Sequence, residues 1–278
     1  MAVYDVAGRS AIVTGAGSGI GRAVARELAA SGAAVVVNDL NADAAAAVVE
    51  EIRAAGGVAE ASVGDVTDQA WIERSIVTAN TLAPLKIAVN NAGIGGPAAP
   101  VGDYPLDGWA KVIEINLNSL FYGMRAQLPA IEANGGGAIV NVASILGSVG
   151  FANSSAYVSA KHGVVGLTKS SALEYAAKGV RVNSVGPGFI KTPLIDANMN
   201  ADVQAHLESL HPIGRLGRPE EVAALIAFLV SDAASFMLAS MSGVLMKPGP
   251  TEFTRTPLAA YSSAELFVSP TTPCLAET

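Results

Sequence analysis

From Ser10 onward, short β-rich apolar runs alternate with longer Ala- and Leu-rich stretches, and this alternation narrows the folds open to the chain more than any other feature. The runs Ser10–Thr14, Ala34–Asn38, Val58–Val63, Lys86–Asn90, Ala138–Val142 and Val180–Val185 read as buried strands. Between them, Ile20–Ala30 reads as a helix that Gly32 is placed to stop, and Asp43–Ala55 as one ending at Gly56-Gly57. The segments 68–81, 107–133 and 156–178 are long enough for further helices. Strands separated by helices imply right-handed crossovers and a parallel sheet with helices on both faces. The expected fold class is α/β: one doubly wound domain over residues 1–249, without an internal linker or repeat.

Composition excludes several function classes. The 278 residues are 51% hydrophobic and 15% charged, enough for a large packed core. The longest unbroken apolar stretch, Val222–Val230, is far short of the ~20 residues of a membrane span. The N-terminus carries Asp5 and Arg9 and runs straight into a strand pattern, so no secretory signal is expected and a cytoplasmic location is. A formal charge of −7 without a basic run argues against nucleic acid and anionic membrane as partners. The single cysteine, Cys274, rules out an intramolecular disulfide and a cysteine-based zinc site, and no metal is expected.

Thr14-Gly15-Ala16-Gly17-Ser18-Gly19-Ile20-Gly21 lies between the first strand and the first helix. Glycines there let the backbone turn tightly and approach a pyrophosphate, whose charge the helix N-terminal amides stabilise. A plain strand-to-helix turn would use some of the same residues, but the placement in the first βαβ unit favours a dinucleotide-binding Rossmann loop. Arg22 is followed by Ala23, so the lysine of a nucleotide-triphosphatase loop is missing and ATP is not expected. Asp39 ends the second strand 18 residues beyond Gly21, where a carboxylate can bind the ribose hydroxyls and would repel a 2′-phosphate. The expected cofactor is therefore NAD. Asp65-Val66, after the third strand, are placed to hold the adenine.

Of six tyrosines, only Tyr157 is followed four residues later by a lysine, Lys161. Such a pair shares one helical face, and a neighbouring cation favours the phenolate of a side chain that ordinarily titrates near ~10. Ser144 ends the preceding strand, in the crevice where open α/β sheets bind ligands, and could polarise a carbonyl there.

With these motifs in order, residues 5–235 resemble the short-chain dehydrogenase/reductase family. Its cofactor motif matches Thr14-Gly15 through Gly21, its Asn-Asn-Ala-Gly motif matches Asn90-Asn91-Ala92-Gly93, and its Pro-Gly turn matches Pro187-Gly188. The resemblance implies a catalytic tetrad of Asn116, Ser144, Tyr157 and Lys161. Tyr157 would exchange the substrate proton, Lys161 would lower its pKa and bind the nicotinamide ribose, and Ser144 would orient the oxygen. Asn116 would anchor a water that relays protons to Lys161, besides kinking its helix. Asn90 would tie strands together, and Asn183 corresponds to the family's usual Asn before the Pro-Gly turn. The cofactor set so implied is Gly15, Ser18, Gly19, Ile20, Asp39, Asp65, Val66, Asn91, Ala92, Gly93, Tyr157, Lys161, Pro187, Gly188, Ile190 and Thr192, with Thr192 on the carboxamide. It also implies a homotetramer assembled through 107–133 and 156–178.

The chain departs from the family near its end. Val244-Leu245-Met246-Lys247-Pro248-Gly249 stands where Val-Asp-Gly-Gly is usual, which puts in doubt the last strand's edge and the subunit contacts this region usually makes. Residues 250–278 form an irregular extension that either packs on the protein or hangs free. The substrate crevice is expected between Ile94–Pro100, Ile145–Asn153 and a mobile Phe189–Leu210. Its candidate walls are Ile145, Leu146, Val149, Phe151, Phe189, Leu194, Ile195 and Met199, with Lys191 facing solvent. These walls favour an uncharged hydrophobic secondary alcohol or ketone. Two other readings stay open: an NADPH-dependent reductase of 3-oxoacyl thioesters, which Asp39 opposes, and a non-catalytic NAD(H)-sensing protein, which would need no acid/base set.

Overall fold

The computed structural model describes residues 4–193, 195 and 201–241. The chain divides into two compact units, Met1–Met246 and Lys247–Thr278. Every described residue belongs to the first; the expected extension 250–278 and the departure around Val244–Gly249 lie outside the described residues.

Seven parallel strands form one sheet in the order β3-β2-β1-β4-β5-β6-β7. They are β1 (Ser10–Val13), β2 (Ala34–Asp39), β3 (Val58–Val63), β4 (Leu85–Asn90), β5 (Gly137–Val142), β6 (Val180–Val185) and β7 (Ala239–Met241). The central strands are apolar on both faces because helices cover both. Val13, Val37, Val89 and Val140 face one layer, built from α1 (Gly19–Ala30), α2 (Ala42–Ala54) and α8 (Pro219–Val230). Ile12, Val36, Ala88 and Ile139 face the other, with α3 (Gln69–Leu82), α5 (Ser119–Ala133) and α6 (Ser155–Tyr175). β3 is an edge strand and mostly exposed, with Ala59 its one buried residue. The strand order reverses between β1 and β4, and the crevice beside that switch is where such sheets bind ligands.

Four stretches differ from the sequence reading. The segment 107–133 is not one helix: α4 (Leu106–Ile113) passes through a π-helical turn, Glu114–Asn118, before α5 begins. Asn116 lies within that turn, and its Nδ2 donates to the Val112 carbonyl at 2.9 Å, taking an acceptor that the backbone ladder would otherwise use. The segment 156–178 is α6 followed by a 3₁₀ turn, Ala176–Lys178, closed by Gly179 at φ 78°. Two helices stand where the sequence pattern gives no helix: α7 (Ala201–Leu210) and α8. α8 carries Pro219 in its first turn and Glu221 bonded back to the Arg218 amide, both legible start signals. Its core is apolar on most sides because it is packed between the sheet and α1. β7 does form, as a short strand beside β6. No described helix is long and apolar enough to cross a membrane.

Candidate active site

The ends of β1, β4, β5 and β6 deliver the Gly15–Gly21 loop, Asn90–Gly93, Ser144 and Pro187–Thr192 to one edge of the sheet. The glycine loop is shaped by what a side chain would strike. A Cβ on Gly21 would lie 2.1 Å from the Gly15 carbonyl oxygen, and one on Gly17 would lie 2.8 Å from Asp39 Oδ2. Gly15 and Gly19 hold φ of 61° and 51°, a region costly for other residues. Thr14 Oγ1 accepts the amides of Asn91 and Ala92 at 3.0 and 3.1 Å, and Asn91 Nδ2 donates to the carbonyls of Thr14 and Gly15. The Asn-Asn-Ala-Gly segment thus braces the loop from beneath.

α1 begins at Ser18 without a side-chain cap or an acidic residue in its first turn. α2 and α3 are capped by their own Asn41 and Asp68, which accept amides of Ala44 and Ala70. An uncapped helix start behind a glycine cradle fits a bound pyrophosphate. Asp39 stands beside it, its two oxygens accepting the Gly17 and Asn41 amides at 2.9 Å each. A carboxylate oxygen has a second lone pair, so ribose hydroxyls can still bond there. Asp65 is exposed, and its Oδ1 accepts the Thr67 amide and hydroxyl. Val66 lines a 20 Å³ cavity under the crevice with Thr14 and Trp71. Thr192 reaches the glycine loop, its Cγ2 3.2 Å from where a Cβ on Gly19 would stand; Ile190 is buried in the core.

The catalytic candidates converge as well. Ser144 shares a hydrogen bond with the Tyr157 phenol, while its Oγ accepts the Leu146 amide at 3.1 Å. Lys161 is 4% exposed; its Nζ donates to the Val142 carbonyl at 2.7 Å and lies 5.6 Å from the Tyr157 ring centroid. Burial pushes the Lys161 ammonium down to about 8. Burial raises the Tyr157 phenol, and the Ser144 hydrogen bond only partly offsets this. The ligand-free phenol is therefore neutral at neutral pH, an acid ready to give a proton rather than a preformed phenolate.

Asn116 is buried, with its Oδ1 accepting the Ile94 amide and its Nδ2 donating to the Ile94 and Val112 carbonyls. Its side chain braces the Gly93–Ile94 turn, and a Cβ on Gly93 would fall 2.5 Å from Asn116 Oδ1 and 3.9 Å from Lys161 Nζ. Asn90 bonds Asn141 at 2.9 Å and Gln127 at 3.1 Å, tying β4 to β5 and α5. Asn183 Nδ2 donates to the Met237 carbonyl.

Of the expected crevice walls, Val149 and Phe151 are open to solvent, whereas Ile145 and Leu146 are buried in a 3₁₀ turn whose Ile145 amide bonds the Pro187 carbonyl. Phe189 is buried against Leu207, Leu216 and Ile195. Lys191 is exposed and bonds Gln204; Leu194 and Met199 lie outside the described residues. Sequence reasoning missed Tyr104, which forms a small buried cluster with Val112 and Ala156 against which Ile94, Ala99 and Tyr157 pack. The Asn141–Thr168 link beneath the site was also missed, though a lone Asn inside the apolar run of β5 was its signal.

The chain belongs to the short-chain dehydrogenase/reductase family, whose members are nicotinamide-dependent oxidoreductases. A family profile described as enoyl-(acyl carrier protein) reductase matches residues 15–244. Cyclohexanol dehydrogenase of Acinetobacter sp. (strain SE19) is 52% identical over 83% of this chain and 90% of its own. Cis-4-hydroxycyclohexanecarboxylate dehydrogenase of Sinomonas cyclohexanicum is 49% identical over 85% of this chain and 94% of its own. Among solved structures, 7α-hydroxysteroid dehydrogenase complexed with NADH and 7-oxo glycochenodeoxycholic acid superposes with a TM-score of 0.83 at 35% identity, covering 87% of this chain and 96% of that one.

Proposed function

We propose that this protein interconverts a hydrophobic, uncharged secondary alcohol, of the cyclohexanol type, and its ketone, with NAD(H) as cofactor. The observation that carries the reading is the placement of Ser144, Tyr157 and Lys161 on the same sheet edge as an uncapped, glycine-lined helix start with Asp39 beside it. Bound there, the nicotinamide dinucleotide supplies the hydride carrier. The α1 amides and the glycine loop hold its pyrophosphate, Asp39 its adenosine ribose, and the Asp65–Val66 turn its adenine. Ser144 and Tyr157 hold the substrate oxygen between them. In reduction the neutral Tyr157 Oη gives its proton to the oxygen that becomes the alcohol. In oxidation it takes that proton back, helped by the Lys161 ammonium, whose charge favours the phenolate. Asn116 keeps the Gly93–Ile94 turn pressed against this set and anchors the water through which Lys161 exchanges protons.

Two named relatives act on six-membered alicyclic alcohols, and a structural neighbour binds NADH with an oxo-steroid. Open apolar side chains at Val149 and Phe151 suit such rings. The test is a panel of alcohols run with NAD⁺ and with NADP⁺, read at the nicotinamide absorbance. Turnover of cyclohexanols with kcat/KM at least tenfold higher for NAD⁺ supports the reading; equal kcat/KM for both cofactors removes the cofactor half. Turnover of 3-oxoacyl thioesters alone would move the substrate to the reductase alternative. A homotetramer in the cytoplasm completes the proposal. Leu106 and Leu173, 87% and 68% exposed, and Trp109 and Phe121 leave α4, α5 and α6 with apolar surface for a second copy, and light scattering showing a monomer at micromolar concentration would remove it. The catalytic unit is taken to be residues 1–249, with 250–278 as an appended segment.

A further inference from the structure

His211 is buried where three pieces of chain meet: the end of α7, the Pro187–Thr192 segment and the loop leading to α8. Both ring nitrogens are engaged. Nδ1 stands 2.7 Å from the Leu207 carbonyl oxygen, and Nε2 stands 3.3 Å from the Phe189 amide nitrogen. A carbonyl can only accept and an amide N–H can only donate, so the ring must be neutral with its proton on Nδ1. The Phe189 ring lies edge-on to the imidazole at 6.0 Å. The same stretch is clipped on its other side, since Gly217 accepts the Lys191 amide and donates to the Phe189 carbonyl. Three residues beyond Phe189, Thr192 meets the glycine loop over Gly19.

We infer that His211 is a positioning residue for the nicotinamide end of the cofactor site: its neutral ring fixes the Phe189 backbone and thereby the Pro187–Thr192 segment. The inference rests on the reading that this segment binds the nicotinamide half. Protonation converts Nε2 into a donor facing the Phe189 N–H, so the bond is lost and two donors confront each other. Acid that protonates the ring therefore opens the latch. The charged groups on the elements around it are Asp202, His206 and Glu208 on α7, Lys191 on the latched segment, and Arg215, Arg218, Glu220 and Glu221 beyond. Lys191 and Glu208 both bond Gln204, and both arginines bond Glu221.

The test compares binding of NAD⁺ and of ADP-ribose by calorimetry at pH 8 and pH 5.5, in the wild type, His211→Gln and His211→Leu. Gln keeps an acceptor toward Phe189 and takes up no proton; Leu offers none. NAD⁺ should bind the wild type about five- to tenfold more weakly at pH 5.5, the loss of one buried hydrogen bond. His211→Gln should flatten that dependence, and His211→Leu should be weak at both pH values. ADP-ribose, which lacks the nicotinamide, should bind all three alike at both. A pH dependence that survives in His211→Gln, or that ADP-ribose shares, overturns the inference. Nitrogen NMR of the ring reads the latch without any ligand: with three histidines in the chain, His211 should appear as the Nδ1–H tautomer at pH 8. An Nε2–H tautomer or a charged ring there also overturns it. Failure of the wild type to bind either ligand defeats the cofactor reading, and the tautomer still decides the latch.

Discussion

The two halves of the crevice are built by opposite means. The half proposed to hold the dinucleotide works through atoms that are missing: Gly17 leaves room for the Asp39 carboxylate, Gly21 for the Gly15 carbonyl, and Ser18 leaves the start of α1 uncapped. The half proposed to be catalytic works through buried polar side chains that are already partnered within the protein, Asn116 on Ile94 and Val112, Lys161 on Val142. One half is intolerant of added carbon, the other of lost partners. The difference teaches that the two should fail differently: the first through binding and cofactor choice, the second through kcat and stability.

The largest expected effect lies in the catalytic half. Tyr157→Phe keeps the ring but removes the hydroxyl proposed to exchange the substrate proton, and kcat should fall by at least ~10²-fold, the low end of acid/base contributions. NAD⁺ affinity measured by calorimetry should stay within a few-fold. Near-normal turnover on the true substrate would show that another group handles the proton.

In the dinucleotide half the effects should fall on discrimination instead. Two unit charges ~4 Å apart interact by ~1 kcal/mol in water and ~4 kcal/mol at an effective dielectric of 20, so a carboxylate facing a 2′-phosphate gives about tenfold to thousandfold preference for NAD⁺. Asp39→Ala should erase most of that preference in kcat/KM. Gly17→Ala should erase a smaller part, because its Cβ would press on Asp39 Oδ2 and on Ala44 Cβ, both 2.8 Å away, and turn the carboxylate aside. If Gly17→Ala keeps full discrimination while Asp39→Ala loses it, the glycine is not what seats the carboxylate.

The same contrast explains what could be read from the sequence. Glycine spacing, strand ends and an i,i+4 pair are local features, so the loop, Asp39 and the Tyr157–Lys161 pair were legible, as were six strands. What escaped depends on contacts distant in sequence. The π-helical turn at Asn116 follows from a side chain engaging both Ile94, 22 residues away, and its own helix. Ile145 and Leu146 were expected as crevice walls, but a 3₁₀ turn after Ser144, which local sequence does not announce, buries both. α8 was hidden for a different reason: packed against sheet and helix, it shows an unbroken apolar run in place of an amphipathic period.

The smallest expected effect follows from Lys161, whose burial is a cost that folding bears for the sake of the site. Its ammonium is held at about 8 against an ordinary lysine value of 10.5, so the folded state disfavours the charged form. Between those values the unfolded chain binds the proton and the folded chain does not; stability therefore rises with pH from about 8 to 10.5. Below about 8 both states are protonated and the penalty is full and constant. Lys161→Met keeps the length and removes the charge. At pH 7 the ligand-free variant should thus melt a few degrees higher, a gain on the order of 1–2 kcal/mol after relaxation around a buried charge. The gain should shrink toward zero by pH 10.5. The added stability should come with severe loss of turnover, the trade expected of a strained catalytic group. A melting temperature that falls at pH 7, with the Val142 carbonyl left unpaired, would mean that the hydrogen bond outweighs the buried charge and that the catalytic half is limited by its lost partners alone.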